Sequence, residues 1–159
     1  MSNGADRAYT AGLALLARRE LAEAQVRQRL ARRKFEPEDI DVAVQRLRSE
    51  RALDDRRTAL ACARTEVRLK RRGRARVVRQ IEALGIGREI AREAAAEVFA
   101  ELDEDELLRQ AVDRRLSRGA DVGDPAVLRR LHRYLIGQGF DAGRAAAYLR
   151  ERAKNKNSL

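Results

Sequence analysis

The sequence predicts an all-α protein, an elongated tandem array of three three-helix modules, and three observations lead there. The chain is built from strong helix formers, with two prolines and no Trp in 159 residues, so breakers are scarce and the core must be made of Leu, Val, Ile and Ala. Val and Ile occur singly at helical spacings, and nowhere do apolar and polar residues alternate over a strand's length. A set of apolar positions recurs about every fifty residues. That period marks a repeat of helical units, each near the lower limit for burying a core alone, which neighbours then stabilise.

The repeat is anchored on the apolar residue after each module's second helix, Phe35, Ile86 and Phe140, spaced 51 and 54 residues apart (35 to 86, 86 to 140). Five residues earlier stand Leu30, Ile81 and Leu135, nine earlier Val26, Val77 and Leu131, and nine later Val44, Ala95 and Leu149. Gly85 and Gly139 directly precede their anchors, as expected of a residue that ends a helix in the left-handed conformation, and Lys34 holds that place in the first module. The predicted modules are 1–52, 53–101 and 102–153, followed by a flexible tail over 154–159.

In chain order, the first helix covers Tyr9 to Arg18 with Leu13, Leu15 and Leu16 packing, and the second runs from Glu23 to Lys34 with Val26 and Leu30 inward. Pro37 opens the third, which buries Ile40, Val44 and Leu47. Asp54 and Asp55 cap and charge the start of a helix reaching about Arg72, whose apolar side is Leu60, Ala63 and Val67 with Cys62 and Leu69 to one side. LDEDELL from Leu102 suits a helix amino terminus, and its consecutive acids do not converge on a point as metal or acid–base chemistry would need. The stretch ADVGDPAV is loop-like, with Asp124-Pro125 starting the next helix.

Charge is the functional signal. The formal net charge is +10, and the middle module holds the largest share: residues 51–101 carry 13 basic and 8 acidic groups, against 10 and 8 in 1–50 and 12 and 9 in 102–159. Between Arg64 and Arg79 eight basic residues stand against one acid, Glu66. On a continuous helix Arg57, Arg64, Arg68, Arg71 and Arg72 fall in one stripe beside the packing face. A face needed only for solubility would mix signs along i,i+4 pairs. A run this one-sided points to a polyanion or an acidic protein groove. The expected contact face is therefore Arg57, Arg64, Arg68, Lys70, Arg71, Arg72, Arg74, Arg76 and Arg79.

Other chemistry is not indicated. Gly85-Ile86-Gly87 lacks a third glycine at the required spacing and follows a helix, so a dinucleotide site fails, and RRGRAR lacks the ending of a phosphate loop. His132 is the only histidine and has no Cys or His cluster around it for a metal or a triad. Lone Cys62 excludes an internal disulfide and fits a reducing compartment, with arginines nearby to lower its pKa if it were exposed. MSNGADRAYT is no signal peptide and no long apolar run occurs. The expectation is a soluble, cytoplasmic, monomeric non-enzyme without cofactor or metal.

LLARRE with Glu23 to Phe35, then LDDRR, RRGRARVVRQIEALGI and DPAVLRRLHRYLIGQGF, resemble in order and spacing the successive modules of the RecX family of recombinase regulators, from about Ala11 to Leu149. Four positions depart from that pattern: Thr58 where an aromatic is common, Cys62 for a tyrosine, Arg74 for a proline, and Ala22 for a helix-capping Ser. The resemblance implies a partner, the RecA filament on single-stranded DNA, bound in its helical groove across successive protomers. It also implies inhibition of strand exchange and ATP hydrolysis, and a place in homologous recombination, DNA repair and the SOS response, with double-stranded DNA as a further contact. Two other readings stand beside it: a free-standing basic helical nucleic-acid-binding protein, and a purely structural helical adaptor with its basic face solvated.

Overall fold

The computed structural model describes residues 3–116 and 119–157. Among them the chain forms nine helices and no strand: α1 Asn3–Arg18, α2 Glu23–Arg32, α3 Pro37–Ser49, α4 Asp55–Lys70, α5 Arg74–Ala83, α6 Arg88–Ala100, α7 Glu104–Arg115, α8 Pro125–Gly137 and α9 Ala142–Asn157. This is an all-α tandem helical array. Contacts group the residues into two compact units. One takes the chain up to Ala61 plus Gln80–Ala94; the other takes Cys62–Arg79 plus the chain from Ala95 onward.

The repeat positions explain why the helices close as they do. Leu30, Ile81 and Leu135 are fully buried, as are Val26, Val77, Val44 and Ala95, with Leu131 and Leu149 nearly so. Lys34, Gly85 and Gly139 share the left-handed backbone, with φ of 62°, 85° and 97°. In the first and third repeats that reversal lets the anchor's amide reach back into the helix, Phe35 N–H to the Leu30 carbonyl and Phe140 N–H to the Leu135 carbonyl. Lys34 bears the left-handed cost of a Cβ that the two glycines avoid.

In the first unit Leu15, Leu21, Val26, Leu30, Ile40, Val44, Leu47 and Leu53 make one core, flanked by Tyr9, Leu16 and Phe35, with α1 packed on α3. Helix α1 begins at Asn3, six residues before the expected Tyr9, because Ala5 and Ala8 extend its buried face. Leu13 does not pack as expected. It is 37% exposed, since two residues from Leu15 is 200° of helical rotation and so the opposite face.

Ala22 supplies no cap of its own to α2. Two other side chains do the work of the absent Ser: Gln25 accepts from the Ala22 N–H at 3.1 Å, and Asp55 accepts from the Glu23 N–H at 2.8 Å. Asp54 accepts from the Arg57 N–H at 3.0 Å and caps α4. Asp55 thus serves α2 rather than its own helix, and burial raises its pKa despite that bond. Thr58 is buried, its hydroxyl donating to the Asp54 carbonyl at 3.0 Å.

In the second unit α7 and α9 pack on α8. Asp103 caps α7 through the Asp105 and Glu106 amides, and Asp124 caps α8 through the Ala126 amide ahead of Pro125. Helix α9 runs to Asn157, so Lys154, Asn155 and Lys156 of the expected tail carry helical backbone, and Lys156 pairs with Asp121 at 2.6 Å. Ser158 and Leu159 lie outside the described residues. His132 donates from Nε2 to the Ala142 carbonyl at 3.0 Å, a structural link between α8 and the start of α9.

Candidate functional site

The helix carrying the basic run ends earlier than its charge pattern suggests. Helix α4 stops at Lys70; Arg71 takes φ +53°, and the Arg71 and Arg72 amides bond back to the Val67 and Glu66 carbonyls. Past this reversal Gly73 N–H donates to the Gln138 carbonyl at 2.8 Å and Ala75 N–H to the Gly139 carbonyl at 3.1 Å. The backbones touch so closely that a Cβ on Gly73 would stand 2.4 Å from the Gly139 carbonyl carbon, and one on Gly139 2.3 Å from the Arg76 nitrogen. Glycine is required at both.

This turn breaks the expected stripe. Arg72 folds inward, 15% exposed, onto the Glu66 carboxylate, which is itself buried and also holds Lys70 at 2.8 Å. Arg71 is half-buried and donates from Nη1 to the Gln110 side chain. Its Nε is buried with no partner among the described residues. Arg74 pairs with Glu104 at 3.1 Å and lies over the Phe99 ring, its guanidinium carbon 5.4 Å from the centroid. Arg76 donates to the Gly137 carbonyl at 3.1 Å. Arg57, in the other unit, pairs with Glu20 at 2.8 Å and donates to the Arg51 and Ala52 carbonyls. Six of the nine expected residues therefore have partners within the fold.

Arg64, Arg68 and Arg79 differ. All three are exposed, and no hydrogen bond or ion pair joins them to another described residue. Arg64 and Arg68, one turn apart on α4, flank a shallow groove shared with Val67, Glu97, Val98, Glu101 and Leu102. Leu69, beside them, is 70% exposed. It does not join the apolar side of α4 as expected, because it stands 200° from Val67.

Cys62 is half-buried, and its thiol pKa is pushed up, by loss of solvent first and by the Glu66 carboxylate second, which together outweigh Lys70 and Arg72. The neighbouring cations do not activate it. Among the described residues no group of three His, Cys, Asp or Glu side chains could hold a metal ion, and no helix is long and apolar enough to cross a membrane.

A second cationic cluster was not singled out from the sequence. Arg129, Arg133 and Arg150 stand around a trough between α8 and α9. The signal was present: no acid occurs between Asp124 and Asp141, a one-sided stretch as long as the one in the middle module but less dense in basic residues.

Residues 8–47 match a family model described as RecX, first three-helix domain. A regulatory protein RecX from Syntrophotalea carbinolica is 31% identical over 91% of this chain and 95% of its own length. The chain belongs to the RecX family. Regulatory proteins RecX from Pelodictyon phaeoclathratiforme (25% identical, 87% of this chain and 84% of the relative) and Amycolatopsis mediterranei (27%, 86% and 78%) agree. The crystal structure of RecX from Lactobacillus salivarius superposes with a TM-score of 0.78 over 97% of this chain and 99% of that one at 17% identity. A second RecX crystal structure gives 0.78 over 96% and 72% at 19% identity. At that identity the superpositions speak for the RecX fold alone.

Proposed function

We propose that this member of the RecX family binds the RecA filament on single-stranded DNA in its helical groove and inhibits strand exchange and ATP hydrolysis. On this reading it acts as a monomer in the cytoplasm, in recombination, repair and the SOS response, and its modules 1–52, 53–101 and 102–153 meet successive protomers. The observation that carries the contact face is the pair Arg64 and Arg68, exposed one turn apart on α4 without a counter-ion among the described residues. Such a pair is free to meet an acidic filament surface or DNA phosphates. Arg79, Lys70, Arg74 and Arg76 of the same unit contribute further charge, as does Arg57 of the other. Arg71 and Arg72 serve mainly by holding the turn that orients α4.

The test is titration of the protein into RecA and single-stranded DNA while ATP hydrolysis is followed. The expected outcome is saturable inhibition that the double charge reversal Arg64→Glu, Arg68→Glu weakens at least tenfold. Stability should move by less than about 0.5 kcal/mol, as for surface substitutions away from buried features. No inhibition by the unaltered protein would overturn the regulatory reading, and equal inhibition by the double variant would remove this face from it. If phosphates are the target, taking away one arginine–phosphate pair lowers the salt slope by roughly 0.7 on single strands.

A further inference from the structure

The trough between α8 and α9 has a composition that neither the filament reading nor the packing of the module accounts for. Its floor is aliphatic, made by Leu128 from α8 and by Ala146 and Leu149 from α9, and it encloses about 400 Å³ while remaining open to solvent. The space exists because Ala146 keeps α9 thin where it passes α8. A methyl group at 146 leaves Leu128 only half covered.

Three guanidinium groups surround this floor. Arg129, Arg133 and Arg150 are exposed, and none has a hydrogen bond or ion pair to another described residue. Three arginines of the neighbouring α7 and α9 are matched: Arg109 to Glu106 and Asp113, Arg144 to Glu104 and Asp105, Arg152 to Asp113. The acid next in sequence, Glu151, faces a different cleft, beside Asp105 and Arg144. His132 lines the trough but is fixed through its bond to the Ala142 carbonyl. One turn further along the same face of α8, Ile136 is 42% exposed and prolongs the apolar track.

We propose that this trough docks an acidic peptide segment of a partner protein, with an apolar side chain on the Leu128–Ala146–Leu149 floor and carboxylates on Arg129, Arg133 and Arg150. Charge complementarity selects the sign of the occupant: three unmatched cations converge where the fold supplies no anion. The floor selects its class. A phosphate backbone gains nothing from an aliphatic surface, and no Phe, Tyr or Trp lines the trough for a base to stack on; its one ring, His132, is tied to the Ala142 carbonyl. A peptide alternating carboxylates with Leu-like side chains satisfies both, as in helix-in-groove recognition, with the arginines engaging carboxylates through paired N–H groups. The site requires neither DNA nor filament.

Fluorescence anisotropy of the full-length protein with a short fluorescein-labelled peptide of Glu, Asp and Leu tests the proposal. Parallel probes are the same peptide with Leu replaced by Ser, the same with its acids replaced by Gln and Asn, and a labelled oligothymidylate. Saturable binding of the first peptide is expected, at least tenfold tighter than either altered peptide. It should be weakened at least tenfold by the triple variant Arg129→Glu, Arg133→Glu, Arg150→Glu. The separate variant Ala146→Phe, which fills the floor and leaves the charge unchanged, should weaken it similarly, with helical circular dichroism retained in both. Three results would overturn the proposal: no binding, equal binding of the Ser-substituted peptide, or oligothymidylate displacing the peptide and losing affinity in the same variants. None of them bears on ATPase inhibition, so this inference and the filament reading fail separately.

Discussion

Arg68 and Arg72 stand four residues apart, so an unbroken helix would hold them side by side on one face, yet the fold uses them in opposite ways. Arg68 reaches into solvent without a partner among the described residues. Arg72 sits beyond the reversal at Arg71 and folds inward onto the buried Glu66. The difference lies in the backbone. Once φ at Arg71 turns positive, the following side chain leaves the helical register, and a residue that would have added to a cationic surface becomes the partner of an internal carboxylate. Charge density along a sequence therefore overstates the surface it makes when a helix end falls inside the run.

The junction behind this contrast can be broken at several points. The largest effect is expected from Gly139→Ala, which combines a left-handed backbone with a Cβ 2.3 Å from the Arg76 nitrogen. A left-handed Ala costs about 1–2 kcal/mol and overpacking against backbone a further 1–3, so a loss of roughly 4 kcal/mol in urea unfolding is expected. A loss below about 1 would mean that the contact with the α5 start is not held in solution.

Glu66→Ala comes next. It leaves Arg72 largely buried without its anion, and removal of one partner from a buried pair costs about 3 kcal/mol at the low end of that class, which suits a pair that water partly reaches. Thermal unfolding should shift accordingly, and Glu66→Gln, which keeps an acceptor, should shift less. If both variants melt like the parent, Arg72 is free in solution and belongs with Arg68.

The smallest effect is expected in acid. Arg71 bonds Gln110, and Gln110 in turn donates to Glu106 at 2.8 Å, beside Arg109. Hydrogen bonds from Arg109 and then Gln110 hold the Glu106 carboxyl at about 2, below its ordinary 4.5. A depressed carboxylate pKa contributes stability that is complete above the ordinary value and is lost as pH falls from there through about 2. Stability measured across that window should fall less steeply in Glu106→Gln than in the parent, and parallel curves would show that the bonds from Arg109 and Gln110 do not hold the carboxylate in solution.

The array and its repeat were legible because they rest on positions where one property decides the outcome. Leu30, Ile81 and Leu135 must be apolar and are buried; Lys34, Gly85 and Gly139 must reverse the chain and do. Leu13 and Leu69 misled for a shared reason, since hydrophobicity alone does not distinguish a residue from its neighbour two positions away on the far face. The candidate site was legible only as composition. Whether an arginine is left unpaired depends on partners remote in sequence, Glu104 for Arg74, Gln110 for Arg71 and the Gly137 carbonyl for Arg76, and no local pattern announces such pairs. Between Arg68 and Arg72, the decisive feature was a single positive dihedral at a non-glycine residue, which sequence disfavours and packing imposed.

The carboxylate of Asp55 closes the amino end of α2, thirty-two positions upstream, where the Ala22 side chain has no oxygen to offer. A fragment cut after residue 52 would thus lack one hydrogen bond that its own helices need, and with it about 1 kcal/mol of an already small margin. The first repeat borrows its completeness from the chain that follows, so folding and any later mechanical pull on this region are coupled across the boundary where the sequence alone would place the scissors.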